Sequence, residues 1–317
     1  MRYFVTSDLH SFSAEMRRSL RKAGFNKRNK DHTLIVCGDV FDRGPDAIGV
    51  YEYLSSIPKR RRVLIKGNHE ELFLKLLDKP APDDYDFSNH TVDTFCQIAR
   101  SVDPGFEFDC CEDWFEPLSY SCMYGVGDDG DWLSALKRQW RAVADAVRGH
   151  PITRWLKSGE WLDYYEMGRF VFVHSFIPVR ERGLAGMGEP GWGPRPMEGW
   201  RTEATPRDWS EARWGCPWSQ YADGLFDREA EAGKTLVCGH WHVSDFWSNL
   251  AGDNSLRTSV YYSEHLIGLD CGCWKMRLTG EYYHPTNVMV IDGGECYQNG
   301  EPLKPAKPEI GEVIPDE

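Results

Sequence analysis

The sequence predicts an α/β sandwich, on three observations. Short apolar runs recur along the chain, helical patterns lie between the early runs, and each run stops at a polar cluster. The runs cover residues 2–6, 33–37, 62–66, 170–173, 235–238, 266–269 and 288–291. They are brief and rich in β-branched and aromatic residues, as expected of strands buried on both faces. Between the first of them, residues 14–23 carry Met16, Leu20 and Ala23 on one side of a helix. Residues 46–54 begin with an acidic first turn, and residues 70–77 are rich in good helix formers. Alternation of strand and helix implies helices layered on a sheet.

Two stretches break this rhythm and are expected to be insertions forming a cap. Residues 79–166 are long, mostly polar and partly helical, with the best helix over 132–148. Residues 178–233 are rich in Gly, Pro and Trp. Ten of the 13 Trp residues fall between Trp114 and Trp218, so both insertions are aromatic. Those rings either form a small core of the cap or line a substrate cleft. The main domain is expected over residues 1–300, with 301–317 as a Pro-rich tail.

Composition bounds the function. The chain has 317 residues, enough for one large domain with a substantial core. Its net charge of −12 argues against bulk nucleic-acid binding, because an acidic surface repels phosphate backbones. An anionic substrate then requires local positive charge, which bound metal ions can supply. No apolar stretch reaches the length of a membrane helix, and the first residues do not read as a signal peptide. The expectation is a cytoplasmic protein whose ten cysteines are reduced and mostly used as small apolar side chains. Cys110-Cys111 and Cys271-Gly272-Cys273 lack the spacing of a zinc cage.

The informative residues follow the strands. The first run leads into Asp8-Leu9-His10, the second into Gly38-Asp39-Val40-Phe41-Asp42-Arg43-Gly44, and the third into Gly67-Asn68-His69-Glu70. The fourth leads to His174 and the fifth to Gly239-His240-Trp241-His242. Ligands of open α/β folds gather beyond the carboxyl ends of strands, so these residues are delivered to one rim. Carboxylate, imidazole and amide oxygen together suit Mn, Fe or Zn. A single carboxylate can bridge two ions, and Asp39 is central enough to do so. Two ions can activate a water and clamp both oxygens of a phosphoryl transfer. Glycines ahead of Asp39, Asn68 and His240 are expected to let the backbone turn sharply.

These blocks together resemble the calcineurin-like metallophosphoesterases. The second and third are similar to the phosphoprotein phosphatase branch, which includes bacterial and phage protein phosphatases and the symmetrical diadenosine tetraphosphatases. The resemblance covers residues 1–78, 161–178 and 234–270 and is weak across both insertions. It implies a four-layered α/β/β/α sandwich and two divalent metal ions, Mn²⁺ by preference. By resemblance Asp8, His10 and Asp39 hold one ion, and Asp39, Asn68, His174 and His240 hold the other. His69 resembles the family's proton donor to the leaving group, oriented by Asp42, and Arg43 resembles a phosphate clamp. The implied reaction is in-line attack by the water held between the ions.

Two departures bear on the substrate. His174 is followed by Ser175-Phe176, unlike that branch, and the last block carries a second histidine. On an extended segment His240 and His242 point the same way, so both could face the ions. The second histidine resembles the wider superfamily, where it adds a ligand to the first ion, and the alternative is that His242 hydrogen-bonds a carboxylate or the phosphate. Arg213 is the candidate for a second phosphate-binding arginine, chosen from a stretch that also holds Arg201 and Arg207. The leading substrates are phosphoserine or phosphothreonine proteins. The alternatives are a nucleotide or dinucleoside polyphosphate hydrolase, and an inactive binding scaffold of the same fold. The filled ligand positions argue against the scaffold.

Overall fold

The computed structural model describes residues 1–106, 130–180, 195–216, 231, 233–275 and 282–306. Two sheets face each other. The first has seven strands in the order β16-β15-β14-β1-β2-β3-β4, and the second has five, in the order β10-β11-β9-β6-β5. Here β1 is Arg2–Thr6, β2 His32–Cys37, β3 Arg62–Ile65 and β4 Trp161–Leu162. These four run parallel. The edge beyond β1 is antiparallel, formed by β14 (Met289–Asp292), β15 (Glu295–Gln298) and β16 (Glu301–Pro302). The second sheet contains β5 (Tyr165–Met167), β6 (Phe170–Phe172), β9 (Thr235–Cys238), β10 (Tyr261–Tyr262) and β11 (Leu266–Gly268), with β6 and β9 parallel. Two further ladders are β7 (Val179–Arg180) with β8 (Arg195–Pro196), and β12 (Trp274–Lys275) with β13 (Tyr282–Tyr283).

The period of two in a strand decides what each sheet face touches. On β1 and β2, Val5, Ile35 and Cys37 point between the sheets, where they meet Phe172, Val237 and Ile267. Their neighbours Phe4, Leu34 and Val36 point outward onto helices. Those helices are α1 (Ser13–Lys22), α2 (Ala47–Ser55) and α3 (Asn68–Leu76), which contribute Met16, Leu20, Val50, Leu54 and Phe73. The outer face of the second sheet is covered in turn, so the layers are α/β/β/α as expected. Truncating one of these wholly buried aliphatic side chains to Ala costs about 2–5 kcal/mol.

The described parts of both insertions join these layers. The first supplies α4 (Asp84–Ser88), α5 (Thr91–Val102), α6 (Gly130–Gly149) and α7 (Pro151–Leu156). Trp140 stacks on Phe95 at 5.3 Å, and Trp155 meets Trp161 edge-on at 4.9 Å, all in the core over the first sheet. The second supplies α8 (Trp200–Glu203) and α9 (Pro206–Ala212), whose Trp200 and Trp209 pack with α10 (Val243–Ala251) over the second sheet. These rings therefore extend the outer cores of the sandwich and do not form a core apart from it. Trp114, Trp192 and Trp218, with Cys110 and Cys111, lie outside the described residues. Of the expected tail, Glu301–Pro302 pairs with β15 as an edge strand.

Candidate active site

The loops after β1, β2, β3, β6 and β9 meet at one end of the sandwich. Backbone bonds stitch them in pairs: Asp8 N–H donates to Gly38 O at 3.0 Å, His10 N–H to Asp39 O at 3.0 Å, and Gly239 N–H to His174 O at 2.7 Å. Two further bonds cross between sheets. His240 N–H donates to the Asp8 carboxylate at 3.0 Å, and His174 Nδ1 meets Cys37 O at 2.8 Å. The loops are strained. Asp8, His10, Ser11, Asp39, Asp42, Arg43 and His240 all have positive φ, between 44° and 72°. Each such residue costs about 1–3 kcal/mol, which persists only where the surroundings over-determine it.

The glycines act mostly in another way than expected. Gly38 does turn with φ +86°, but Gly67 and Gly239 are not left-handed. They are needed for space: a Cβ at Gly67 would overlap the Asp39 carboxylate, and one at Gly239 would overlap Ser7 and Asp8.

Two groups of ligand-type side chains result, and they share Asp39. In one, His10, Asp39 and His69 bring donor atoms within 4.8 Å of one another; in the other, Asp39, His174 and His240 do so. Asn68 joins the second, its Oδ1 lying 2.8 Å from His174 Nε2. The imidazoles are oriented from behind. His10 Nδ1 sits 3.0 Å from Phe41 O and His174 Nδ1 sits on Cys37 O. A carbonyl only accepts, so each Nδ1 carries a proton. His10 Nε2, which faces Arg43 Nη1, is then free to accept, while His174 Nε2 faces Asn68 Oδ1 and Asp39 Oδ1 and carries a proton in the metal-free protein. Asp8 is placed differently. Its carboxylate accepts from Ser7 Oγ and from His240 N–H, and it belongs to neither group of three.

Electrostatics suit a cation-binding cluster. Burial and the nearby Asp270 and Asp39 push the Asp8 carboxyl well above the usual range. Burial alone would raise Asp39 too, but His174, His69 and His10 outweigh it and hold that carboxyl well below. Burial lowers His10 strongly, helped by Arg43, and lowers His240 to about 3. These two rings are therefore neutral at pH 7, the form that donates a lone pair. Burial opposes protonation of His174 as well, but Asp39 reverses that and raises it.

Beside the first group stands the pair Asp42 and His69. His69 Nδ1 lies 2.7 Å from Asp42 Oδ2, and both side chains are buried. Arg43 reaches over the opposite ring edges, with Nη1 3.1 Å from His10 Nε2 and Nη2 3.3 Å from His69 Nε2.

Three bracing features escaped the sequence reading. Thr91 donates to Asp42 Oδ2 and Thr94 to Asp42 Oδ1, each at 2.8 Å, while Gln97 bonds Gly44 O and Ala47 N–H. These residues stand at intervals of three on α5, so the first insertion clamps the Asp42 loop. Glu70, read as a helix former, has a carboxylate that accepts from Asp39, Val40 and Gly67 N–H at 2.7–3.0 Å. His284 is buried, stacks on Phe12 at 4.7 Å and faces the His10 ring edge-on at 6.1 Å. The Glu of the third block was visible in sequence; His284 carried no local signal.

Two further predicted residues are not among these groups. Arg213 is not available to phosphate: its buried guanidinium is committed to Glu71, Asp163 and the Lys66 carbonyl. That is a correction, and its cause is that both carboxylates reach the arginine from neighbouring elements. His242 occupies the N-cap position of α10, in neither ligand group, with Asp245 of the same helix near it.

Known proteins resemble the chain as follows. Residues 1–244 match the family described as calcineurin-like phosphoesterase. The symmetrical bis(5'-nucleosyl)-tetraphosphatase of Buchnera aphidicola subsp. Schizaphis graminum is 40% identical over 68 residues, 22% of this chain. That match spans only 23% of the relative's length. The asymmetrical bis(5'-nucleosyl)-tetraphosphatase PrpE of Bacillus velezensis is 23% identical over 203 residues, covering 57% of this chain and 79% of the relative. A solved cold-active protein-tyrosine phosphatase of a psychrophilic Shewanella species is 14% identical, with TM-score 0.43, covering 96% of this chain and 80% of that one.

Proposed function

The chain belongs to the calcineurin-like phosphoesterase family, and from that premise we propose that it hydrolyses phosphate esters at the strand-end site. One observation carries the reading: two largely buried groups of ligand-type side chains share Asp39, and His69 of the first is paired with Asp42 and lies under Arg43. The donor set fits two first-row divalent ions, being imidazole nitrogen, carboxylate oxygen and one amide oxygen. Asp8, His10 and Asp39 would hold one, and Asp39, Asn68, His174 and His240 the other, with Mn²⁺ preferred. Such ions, when bound, activate water and offset the charge of the phosphoryl group.

The protein's own side chains do the rest. Arg43, which lies over the His10 and His69 ring edges, would offer its fork of N–H groups to the phosphoryl oxygens. Asp42 is fixed by two threonines and orients His69 through Nδ1, so that Nε2 is the atom that would give a proton to the leaving oxygen. Phosphoserine or phosphothreonine proteins and dinucleoside polyphosphates, which two relatives are named for, are the two substrate classes this site would serve.

The test supplies purified protein with Mn²⁺ and measures release of phosphate from phosphopeptides and cleavage of dinucleoside tetraphosphates. Metal-dependent turnover of either supports the reading, and the ratio of the two ranks the substrates. No turnover of any phosphoester, in protein that retains both ions by elemental analysis, refutes it.

A further inference from the structure

The second insertion places an aromatic side chain against the site, and the first places another beside it. Trp214 follows α9 and meets the ring of His240 edge-on at 5.5 Å. Tyr85, on α4, lies 6.5 Å from Trp214 with its ring tilted by 44°. Both are exposed, Trp214 at 41% and Tyr85 at 49%. Among the described residues six large hydrophobic side chains are exposed, and the two aromatic ones are these, touching each other. An isolated exposed apolar residue needs no explanation, but adjoining rings at the edge of a buried polar centre do.

The support beneath them is rigid. Arg213, next to Trp214, is held by Glu71 and Asp163. On the other side, Gly215 O accepts from Ser175 Oγ and from Trp241 Nε1, each at 2.6 Å. The backbone on both sides of Trp214 is therefore held, and its ring lies against His240. Arg213, rejected as a phosphate ligand, serves to position the residue after it.

We propose that Trp214 and Tyr85 form a shelf that stacks the base of a nucleoside phosphate whose phosphoryl group lies at the ligand groups. This rests on the phosphoester reading above and names the substrate class for it. The distances favour a base over a phenyl ring. Trp214 stands one ring from His240 and Tyr85 one ring beyond it, so an aryl group bonded directly to a phosphoryl oxygen would be nearer to Trp214 than to Tyr85. A base held off by a ribose extends one ring further, to Tyr85. Every base offers a flat π face, so the shelf selects for a nucleoside without fixing which one.

The test compares kcat/KM for a dinucleoside tetraphosphate with that for glycerol phosphate, in the Mn²⁺-supplied full-length protein. In Trp214→Leu and Tyr85→Leu the nucleotide-to-glycerol ratio should fall about 5–100-fold, the size of one lost base stack, mainly through KM. Trp214→Phe and Tyr85→Phe should restore most of it. The proposal is overturned if both substrates decline together, if the ratio holds, or if the loss is confined to a phosphotyrosine peptide. A wild-type protein that hydrolyses none of them refutes the phosphoester reading instead. The shelf is then decided by calorimetry with a methylene-bridged nucleoside diphosphate against methylenediphosphonate. Binding of the nucleoside form about tenfold tighter, lost in Tyr85→Leu, supports it, and equal binding overturns it.

Discussion

The two ligand groups share one carboxylate but are built in opposite ways. His10 and Asp39 come from loops of the first sheet and His69 from the start of α3 just beyond β3, held together by backbone bonds and by Glu70. His174 and His240 come from the second sheet, so the second group exists only when the two sheets are docked through Val5, Ile35, Phe172 and Val237. The first group depends on loop chemistry, the second on the apolar core beneath it. Their meeting point is Asp39, where strain is also present.

Removing Asp39 should produce the largest effect, because it belongs to both groups. Asp39→Asn should lower phosphoester turnover by several orders of magnitude and reduce bound metal from two ions to one or none. A variant that keeps both ions by elemental analysis would show that the groups do not depend on a shared carboxylate.

His69→Asn comes next and is confined to the first group. Loss of a proton donor should slow alkyl phosphates, whose leaving oxygen is basic, by roughly 10²–10⁴-fold. Aryl phosphates such as nitrophenyl phosphate need less help and should lose less. Equal losses on the two would assign His69 to binding, consistent with its place in the ligand group with His10 and Asp39.

How far the sequence could be read follows the same division. The residues that the structure gathers at the strand ends were legible because each stands within a few residues of its strand, and a polar residue directly after an apolar run is visible locally. All seven expected strands and the four expected helices are present, displaced by a residue or two at their ends. The braces were not legible. Thr91, Thr94 and Gln97 lie about fifty residues from the loop they hold, on a helix whose opposite face carries Phe95 and Ile98 into the core. Their spacing is that of any helix face, and only the packed structure says what the face meets. Arg213 failed for a related reason: three arginines in one stretch look alike until their carboxylate partners are placed.

The braces give the third prediction. Thr91→Val and Thr94→Val each remove a hydroxyl from a buried carboxylate while keeping the shape, which should cost about tenfold in kcat/KM. The loss should be larger for alkyl than for aryl phosphates if the threonines act through Asp42 and His69. A uniform loss would mean that they only hold the loop together.

The second group should show itself in acid. His240 in the folded protein titrates at about 3, against an ordinary 6.5, because it is buried. Between those values an unfolded chain binds a proton that the folded one refuses. The metal-free protein should therefore be fully stabilised above pH 6.5 and lose stability as pH falls toward 3. The slope attributable to this ring is at most about a tenfold change in the folding equilibrium per pH unit. Denaturant titrations across that range, repeated on His240→Asn, would isolate it; an unchanged slope in the variant would place the acid sensitivity elsewhere.

The smallest effect is expected at His242, and it asks whether the first group draws on the second sheet at all. The reading of an extended segment put both histidines of the last block on one side, facing the ions. The backbone ends that regularity: His240 is left-handed at φ +66°, and His242 is already the N-cap of α10. A chain turning into a helix does not alternate its side chains as a strand does, and the ring ends near Asp245 on that helix. His242→Ala should then leave two ions bound and change turnover by less than about threefold, the usual range of a substitution outside the chemistry. Loss of one ion, with activity recovered by excess Mn²⁺, would make His242 a ligand after all. The first group would then depend on sheet docking as the second does, and the division between them would fail.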